Sequence, residues 1–198
     1  YDTCSSRVYI RDLIEPVAIC DQNTNITLSN DGWADLCYTS IDDLSYDNCR
    51  VESKLIKREG EGDDRYRECI TFRCRDVGEN KVFLRVTDIY GNSNVCWANV
   101  YVEDKAEPKI TCPSDVTVHC DVNVNDPDLT GGYPDVLDNC ADLTPTFSDE
   151  RDQYNCPTGV ITRTWTVENV FAGTDGIEGI QDDYVRTAQF EQFITVLD

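Results

Sequence analysis

Eleven cysteines, 38 aspartates and glutamates and a single histidine make up the reactive side chains of this 198-residue chain, which contains no methionine. Thiols at that density either bind a soft metal or cross-link. A zinc site needs close pairs such as C-x-x-C together with histidines. Here the closest pair is Cys69 and Cys74, and His119 is the sole histidine. An acidic, cysteine-rich chain points instead to an oxidising compartment and to disulfides. His119 precedes Cys120 on an expected strand, and one histidine cannot build a Ser/His/Asp set. No two of the 38 acids stand out as a pair for glycoside hydrolysis. The glycines of 169–183 lack P-loop or dinucleotide spacing. No catalytic residue is expected.

The carboxylates gather in turn signals. Asp12 and Glu15 lie in a short acidic hinge, Asp43 and Asp47 in a polar loop, and Asp88 and Asn92 in a hairpin turn. A sandwich that brings these three stretches to one pole would converge oxygen donors of the kind calcium takes, roughly 6–8 in flexible geometry. Clustered carboxylates repel one another unless a cation sits between them. Turns demand the same residues without any metal. The second half offers Asp104, Glu107, Asp135, Asp138 and Glu168 but lacks the Gly-Asn pair. Formal charge is −21, which repels nucleic acid and anionic membrane. No apolar run approaches the ~18 residues of a membrane span.

These residues are positioned by a repeat. Cys4, Val8, Tyr9, Asp12, Glu15, Pro16 and Cys20 recur as Cys96, Val100, Tyr101, Asp104, Glu107, Pro108 and Cys112, each 92 residues on. A fixed period marks a repeat architecture. Residues 1–14 read as the last strand of a preceding unit, 15–106 as the first full unit and 107–198 as the second. The acidic charge falls mainly on the second.

Short β-like segments separated by turn residues follow in both units. In the first they are Ser5–Arg11 (from the preceding unit), Asn25–Leu28, Trp33–Ser40, Val51–Lys57, Cys69–Arg73, Lys81–Thr87 and Asn94–Glu103. In the second, Val116 and Val118 line the first strand, Val160–Val167 is a long strand, and Thr187–Val196 closes the unit. Between the last two lies an expanded acidic hairpin, 169–183, the largest departure between the units. Seven short strands in about 90 residues predict an immunoglobulin-type β-sandwich. The fold class is therefore all-β, tandem immunoglobulin-like and disulfide-rich. Trp33, Trp97 and Trp165 read as core or half-buried strand residues rather than sugar-stacking platforms.

In such a sandwich the first and last strands run parallel as neighbours, which pairs Cys20 with Cys96. Cys4 then lacks a partner. Where Cys96 would recur stands Phe190, so Cys112 turns to Cys120, leaving Cys140 with Cys156. For the rest, Cys49–Cys74 with Cys37–Cys69 is preferred, and Cys37–Cys74 with Cys49–Cys69 fits nearly as well.

Asp47-Asn-Cys49, Phe72-x-Cys74, Val77-Gly-x-Asn80, Val86-Thr-Asp88-x-x-Gly-Asn92, Cys96 and Asp104-x-x-x-Pro108 together resemble a hyalin-type (HYR-like) repeat. Ile110-Thr-Cys-Pro113, Thr117-Val-x-Cys120, Gly131-Gly-Tyr133, Asp138-Asn-Cys140 and Ile161-Thr-Arg-Thr-Trp165-Thr resemble a sister form. The second unit departs from that form at Glu168, the long loop and Phe190. Arrays of this kind are typical of very large Bacteroidota surface proteins, such as SprB-like gliding-motility adhesins exported by type IX secretion. The resemblance implies an extracellular, cell-surface adhesin or filament. Its partners would be neighbouring repeats of the same chain, and surface glycans or other filament subunits. The alternative is a carbohydrate- or protein-binding module using the 169–183 loop.

Overall fold

A computed structural model of the chain describes residues 4–151, 158–171 and 184–198. It divides into two compact units, Tyr1–Thr27 with Trp33–Glu103, and Leu28–Gly32 with Asp104–Asp198. The described residues contain strands and short 3-10 turns but no α-helix. Each unit is an immunoglobulin-like β-sandwich of one four-stranded and one two-stranded sheet.

Unit 1 contains β1 (Asn23–Thr27), β2 (Trp33–Cys37), β3 (Val51–Arg58), β4 (Cys69–Arg73), β5 (Gly78–Asp88) and β6 (Ser93–Glu103). The large sheet runs β1-β6-β5-β3, and β2 pairs with β4. Strand side chains alternate between faces. Val82, Leu84 and Val86 of β5 and Ala98, Val100 and Val102 of β6 therefore point the same way, and all six are fully buried. Leu36, Ile56, Ile70 and Phe72 close the core from the other strands. Asp88 continues the inward series of β5 and is only 2% exposed, so the apolar face ends in a buried carboxylate at one pole.

β1 joins β6 in parallel, with Thr24 opposite Val100. The entering chain reaches β1 through isolated bridges, Val17 to Tyr46 and Cys20 to Asp42. The hairpin between β5 and β6 turns through Gly91 at φ 91°, a left-handed conformation that glycine adopts without a Cβ penalty. Two expected strands differ. Trp33–Ser40 stops at Cys37 because Tyr38–Ser40 closes into a 3-10 turn. Ser5–Arg11 is not a strand: no described segment pairs with it, and Val8, Tyr9 and Ile10 are each more than 80% exposed.

Unit 2 contains β7 (Lys109–Thr111), β8 (Val116–His119), β9 (Asp135–Leu137), β10 (Thr146–Arg151), β11 (Gly159–Phe171) and β12 (Tyr184–Leu197). The large sheet runs β10-β11-β12-β8, and β7 pairs with β9. As in unit 1, the first strand of the large sheet joins the last in parallel, Val116 opposite Ile194.

The inward face of β11 reads Ile161, Arg163, Trp165, Val167 and Asn169, all buried. A guanidinium in that series must be paired. Arg163 meets both oxygens of Asp149 at 2.8 and 2.9 Å, donates to Thr130 Oγ1 at 2.8 Å and to the Val124 carbonyl at 2.5 Å, and lies over the Phe147 ring. Gln192 of β12 accepts from the Trp165 indole and donates to the Thr130 and Ser114 carbonyls. This core is thus built partly from hydrogen bonds. Of the 169–183 loop, Asn169–Phe171 belongs to β11, and 172–183 lies outside the described residues.

Candidate metal centre

Three turns of unit 1 each spend carboxylate oxygens on their own backbone. Asp12 Oδ1 accepts from Ile14 N at 3.0 Å. Asp47 Oδ2 accepts from Cys49 N at 2.8 Å and Arg50 N at 3.0 Å. Asp88 Oδ1 accepts from Tyr90 N and Asn92 N, both at 2.8 Å. These are the local side-chain-to-backbone bonds that make aspartate a turn residue.

The remaining oxygens set the site. Asp88 Oδ2 accepts from Asn92 Nδ2 at 2.7 Å, and the same nitrogen donates to the Asp12 carbonyl at 3.2 Å. Asn94 Nδ2 holds the Pro16 carbonyl at 3.1 Å. The last hairpin therefore grips the entering chain and presses Asp12 toward Asp47. Asp12 Oδ2 and Asp47 Oδ1 are buried and have no hydrogen-bond partner. Ligand atoms of Asp12, Asp47 and Cys49 all lie within 4.8 Å of one another, and Asp12 is 9% exposed.

Electrostatics follow. The Cys49 thiol and then the Ile14 N–H hold the Asp12 carboxyl below its usual range. Burial pushes Asp88 up, and the Asn92 amide with the N–H groups of Asn92, Tyr90 and Gly91 more than offsets it, so Asp88 also lies low. Cys49 is raised to about 11, by its contact with Asp12 first, then burial and the charges of Asp12, Asp47 and Asp88. At neutral pH Cys49 is a thiol, which is a poor metal ligand.

Of the six residues expected to hold calcium, Asp12, Asp47, Asp88 and Asn92 lie at this pole. Glu15 and Asp43 do not join them. Glu15 is exposed on the entering segment, while Asp43 is committed through its backbone to Ile19 and turns its side chain outward.

Unit 2 shows what was missed. The inward residue at the end of β11 is Asn169, 5% exposed, while Glu168 faces solvent. Strict alternation from Ile161 would have identified Asn169 as the counterpart of Asp88. Its amide donates to Asp138 Oδ2 at 3.1 Å, and Asp138 Oδ1 accepts from Cys140 N and Ala141 N. An amide thus stands where unit 1 has a carboxylate, and both oxygens of Asp138 are satisfied. Asp104 Oδ1 accepts from Ala106 N and the Asn139 amide. Asp135 is exposed on β9, and Glu107 is ion-paired with Arg186.

Cys20 is bonded to Cys96 and Cys37 to Cys69. The second bridge spans directly opposed positions of β2 and β4. Cys74 and Cys140 are also disulfide-bonded, while Cys4, Cys49, Cys112 and Cys120 are free. The preferred Cys49–Cys74 pair is therefore wrong. Cys74 opens the turn whose Asp76 pairs with Arg58, the last residue of β3, whereas Cys49 precedes its first. Eight residues of strand at ~3.3 Å each separate them, far beyond the ~4.4–6.8 Å between Cα atoms that a disulfide spans. Cys112–Cys120 also fails, because Cys112 follows β7 and Cys120 follows β8, which belong to different sheets. The partner expected for Cys140, Cys156, lies outside the described residues.

Trp165 is fully buried, and Trp33 and Trp97 are each 43% exposed. His119 ends β8 on the surface.

No family model and no curated protein matches the chain. Among solved structures it is similar to cadherin domains 1–2 of human mucin-like protocadherin, at 10% identity over 89% of this chain and 95% of that one, TM-score 0.35. Protocadherin gamma B7 cadherin domains 1–4 match at 14% identity over 93% and 51%, TM-score 0.37. Sidekick-1 immunoglobulin domains 1–4 match at 12% identity over 91% and 51%, TM-score 0.30.

Proposed function

We propose that the chain is a structural and adhesive segment of a long extracellular surface protein, a hyalin-type array of the SprB-like adhesin kind, in which each unit is a stapled spacer. The supporting observation is the recurrence at 92 residues of a hinge, a proline and a cysteine, on units that both seat their first sheet strand parallel to their last. In each large sheet the first and last strands lie side by side and run the same way, as a repeat strung in series requires. The disulfides fit an oxidising, extracellular setting.

Two measurements test this reading. The oxidised chain should resist trypsin at concentrations that digest it after reduction, because the bridges restrict the unfolded state. Equal digestion would remove the stapled spacer. On a glycan array a spacer binds nothing reproducibly. Binding that disappears when 172–183 is deleted would replace this reading with a binding module using that loop.

A further inference from the structure

We propose that the pole of unit 1 is a binding site for a hard divalent cation of the calcium type, held by Asp12 Oδ2 and Asp47 Oδ1 with Asp88 behind them, and that unit 2 has lost it. The inference is independent of the adhesive reading.

The two oxygens are buried and unpartnered, and Asp12, Asp47 and Cys49 each offer a ligand atom within 4.8 Å of the others, while each carboxylate's second oxygen is fixed by its own turn. Two buried anionic oxygens with no aligned donor between them cost free energy unless something positive fills the gap. The neighbouring donors do not: the Asn48 amide, which also helps to lower the Asp12 carboxyl, is turned to the Cys49 sulfur at 3.6 Å. The Asn92 amide is taken up by Asp88 and the Asp12 carbonyl. The Cys49 thiol lies close enough to lower the Asp12 carboxyl, yet it is not aligned as a donor to Asp12 Oδ2. No lysine or arginine pairs with Asp12, Asp47 or Asp88 in the described residues: Lys54 is paired with Asp42, and Arg50 with Glu52.

The ligand chemistry follows from the donors. All are oxygens apart from one sulfur, and an oxygen set selects calcium or magnesium over softer ions. The site is open on the Cys49 side, which is exposed. Water from that side would complete the coordination, and calcium tolerates such irregular, partly hydrated geometry better than magnesium.

Unit 2 supplies the internal contrast. There the inward end of β11 is an amide, Asn169, and it donates to Asp138. Exchanging a carboxylate for an amide removes one negative charge and adds a donor, which does for Asp138 what a cation would do for Asp47. Calcium dependence therefore belongs to unit 1.

The test uses the full oxidised chain. Terbium luminescence, sensitised by nearby tyrosine and displaced by calcium, reports occupancy directly, and melting in calcium against chelator reports linkage to folding. The expected result is saturable terbium binding competed by calcium, and a melting transition raised by roughly 4–8 °C. Asp47→Asn should weaken competition at least tenfold, and Asp138→Asn should leave it unchanged. Circular dichroism verifies that each variant is folded. Absence of saturable, calcium-competed binding in the unaltered chain would overturn the site whatever the variants do. So would a loss with Asp138→Asn equal to that with Asp47→Asn. Binding of zinc or cadmium alone, abolished by Cys49→Ser, would overturn it in favour of a thiolate site.

Discussion

Asn92 Nδ2 lies 2.7 Å from Asp88 Oδ2, and through the same nitrogen the hairpin also holds the carbonyl of Asp12, 80 residues earlier. One amide thus fixes both the shape of the last turn and the path of the entering chain. Asn92→Ala leaves a buried carboxylate oxygen and a carbonyl without this donor. We expect a loss of about 1–3 kcal/mol of stability by urea denaturation, and a larger loss for Asn92→Asp, which sets a second charge against Asp88.

Acid should weaken unit 1 through the same turn. Asp12 and Asp88 both titrate below the usual 3.8 in the folded chain. A carboxyl whose folded pKa is depressed adds stability that is present above its unfolded pKa and is lost as pH falls through the folded one. The melting temperature should therefore hold from neutral pH to about 5 and drop below about 4. Asp88→Asn starts lower and should flatten that drop. Parallel acid curves for the two chains would count against this origin.

Cys49 should be a slow thiol. With its pKa raised to about 11, about one molecule in a thousand carries a thiolate at pH 8. Alkylation by iodoacetamide, read by peptide mass spectrometry, should be negligible at pH 8 and accelerate through pH 10–11, and Asp12→Asn should bring that acceleration to lower pH. The sign for stability is opposite to that of the aspartates. The thiol's contribution is full below its unfolded value near 9 and is lost as pH rises toward 11.

In unit 2 the sensitive element is the buried pair. Arg163 is fully buried, and the Asp149 side chain is 12% exposed. Asp149→Ala strands the guanidinium among Phe147, Trp165 and Thr130, at an expected cost of about 3–5 kcal/mol. The double change Arg163→Met with Asp149→Leu should recover most of that loss. Thermal melts of the three chains measure both.

The two located bridges should differ in weight. Cys20–Cys96 spans 76 residues and Cys37–Cys69 spans 32. Loop-closure entropy gives about 4.5 and about 3.7 kcal/mol respectively. Serine pairs at each site, compared by urea denaturation, should reproduce the order.

The strands were legible in the sequence wherever side chains alternate, because one face of each sheet is buried: Val82, Leu84 and Val86, or Ile194 and Val196. Cys69–Arg73 matches the observed β4 residue for residue. The same alternation carried the polar ends of the inward series, Asp88 and Asn169, but a charged or amide residue gives no apolar signal, and Asn169 was passed over for Glu168. Arg163 sat in plain view between Ile161 and Trp165. Its burial depends on Asp149 and Thr130, partners that only folding brings near. Cysteine pairing was least legible. Cys49 and Cys74 are 25 positions apart in sequence, and only the direction of β3 reveals that they occupy opposite ends of a strand.

The parallel pairing of β1 with β6 has a mechanical consequence. Tension entering at the head of β1 and leaving at the tail of β6 pulls the two strands past each other, so their hydrogen bonds are strained together in shear rather than peeled singly. In the oxidised unit 1 the force never reaches that ladder: the covalent bond between Cys20 and Cys96 joins the entering chain to β6 before β1 begins, so it carries the load directly and leaves the chain between those residues slack. Unit 1 is thus a link whose extension is capped, about 75 residues of its length being withheld from stretching. In unit 2 the chain passes through β7, in the smaller sheet, before the parallel pair β8 and β12, and the two cysteines that flank β8, Cys112 and Cys120, are free. A pulling experiment on the single chain would show a lengthening step for unit 1 that is short while the Cys20–Cys96 bridge is intact and grows by the withheld segment on reduction.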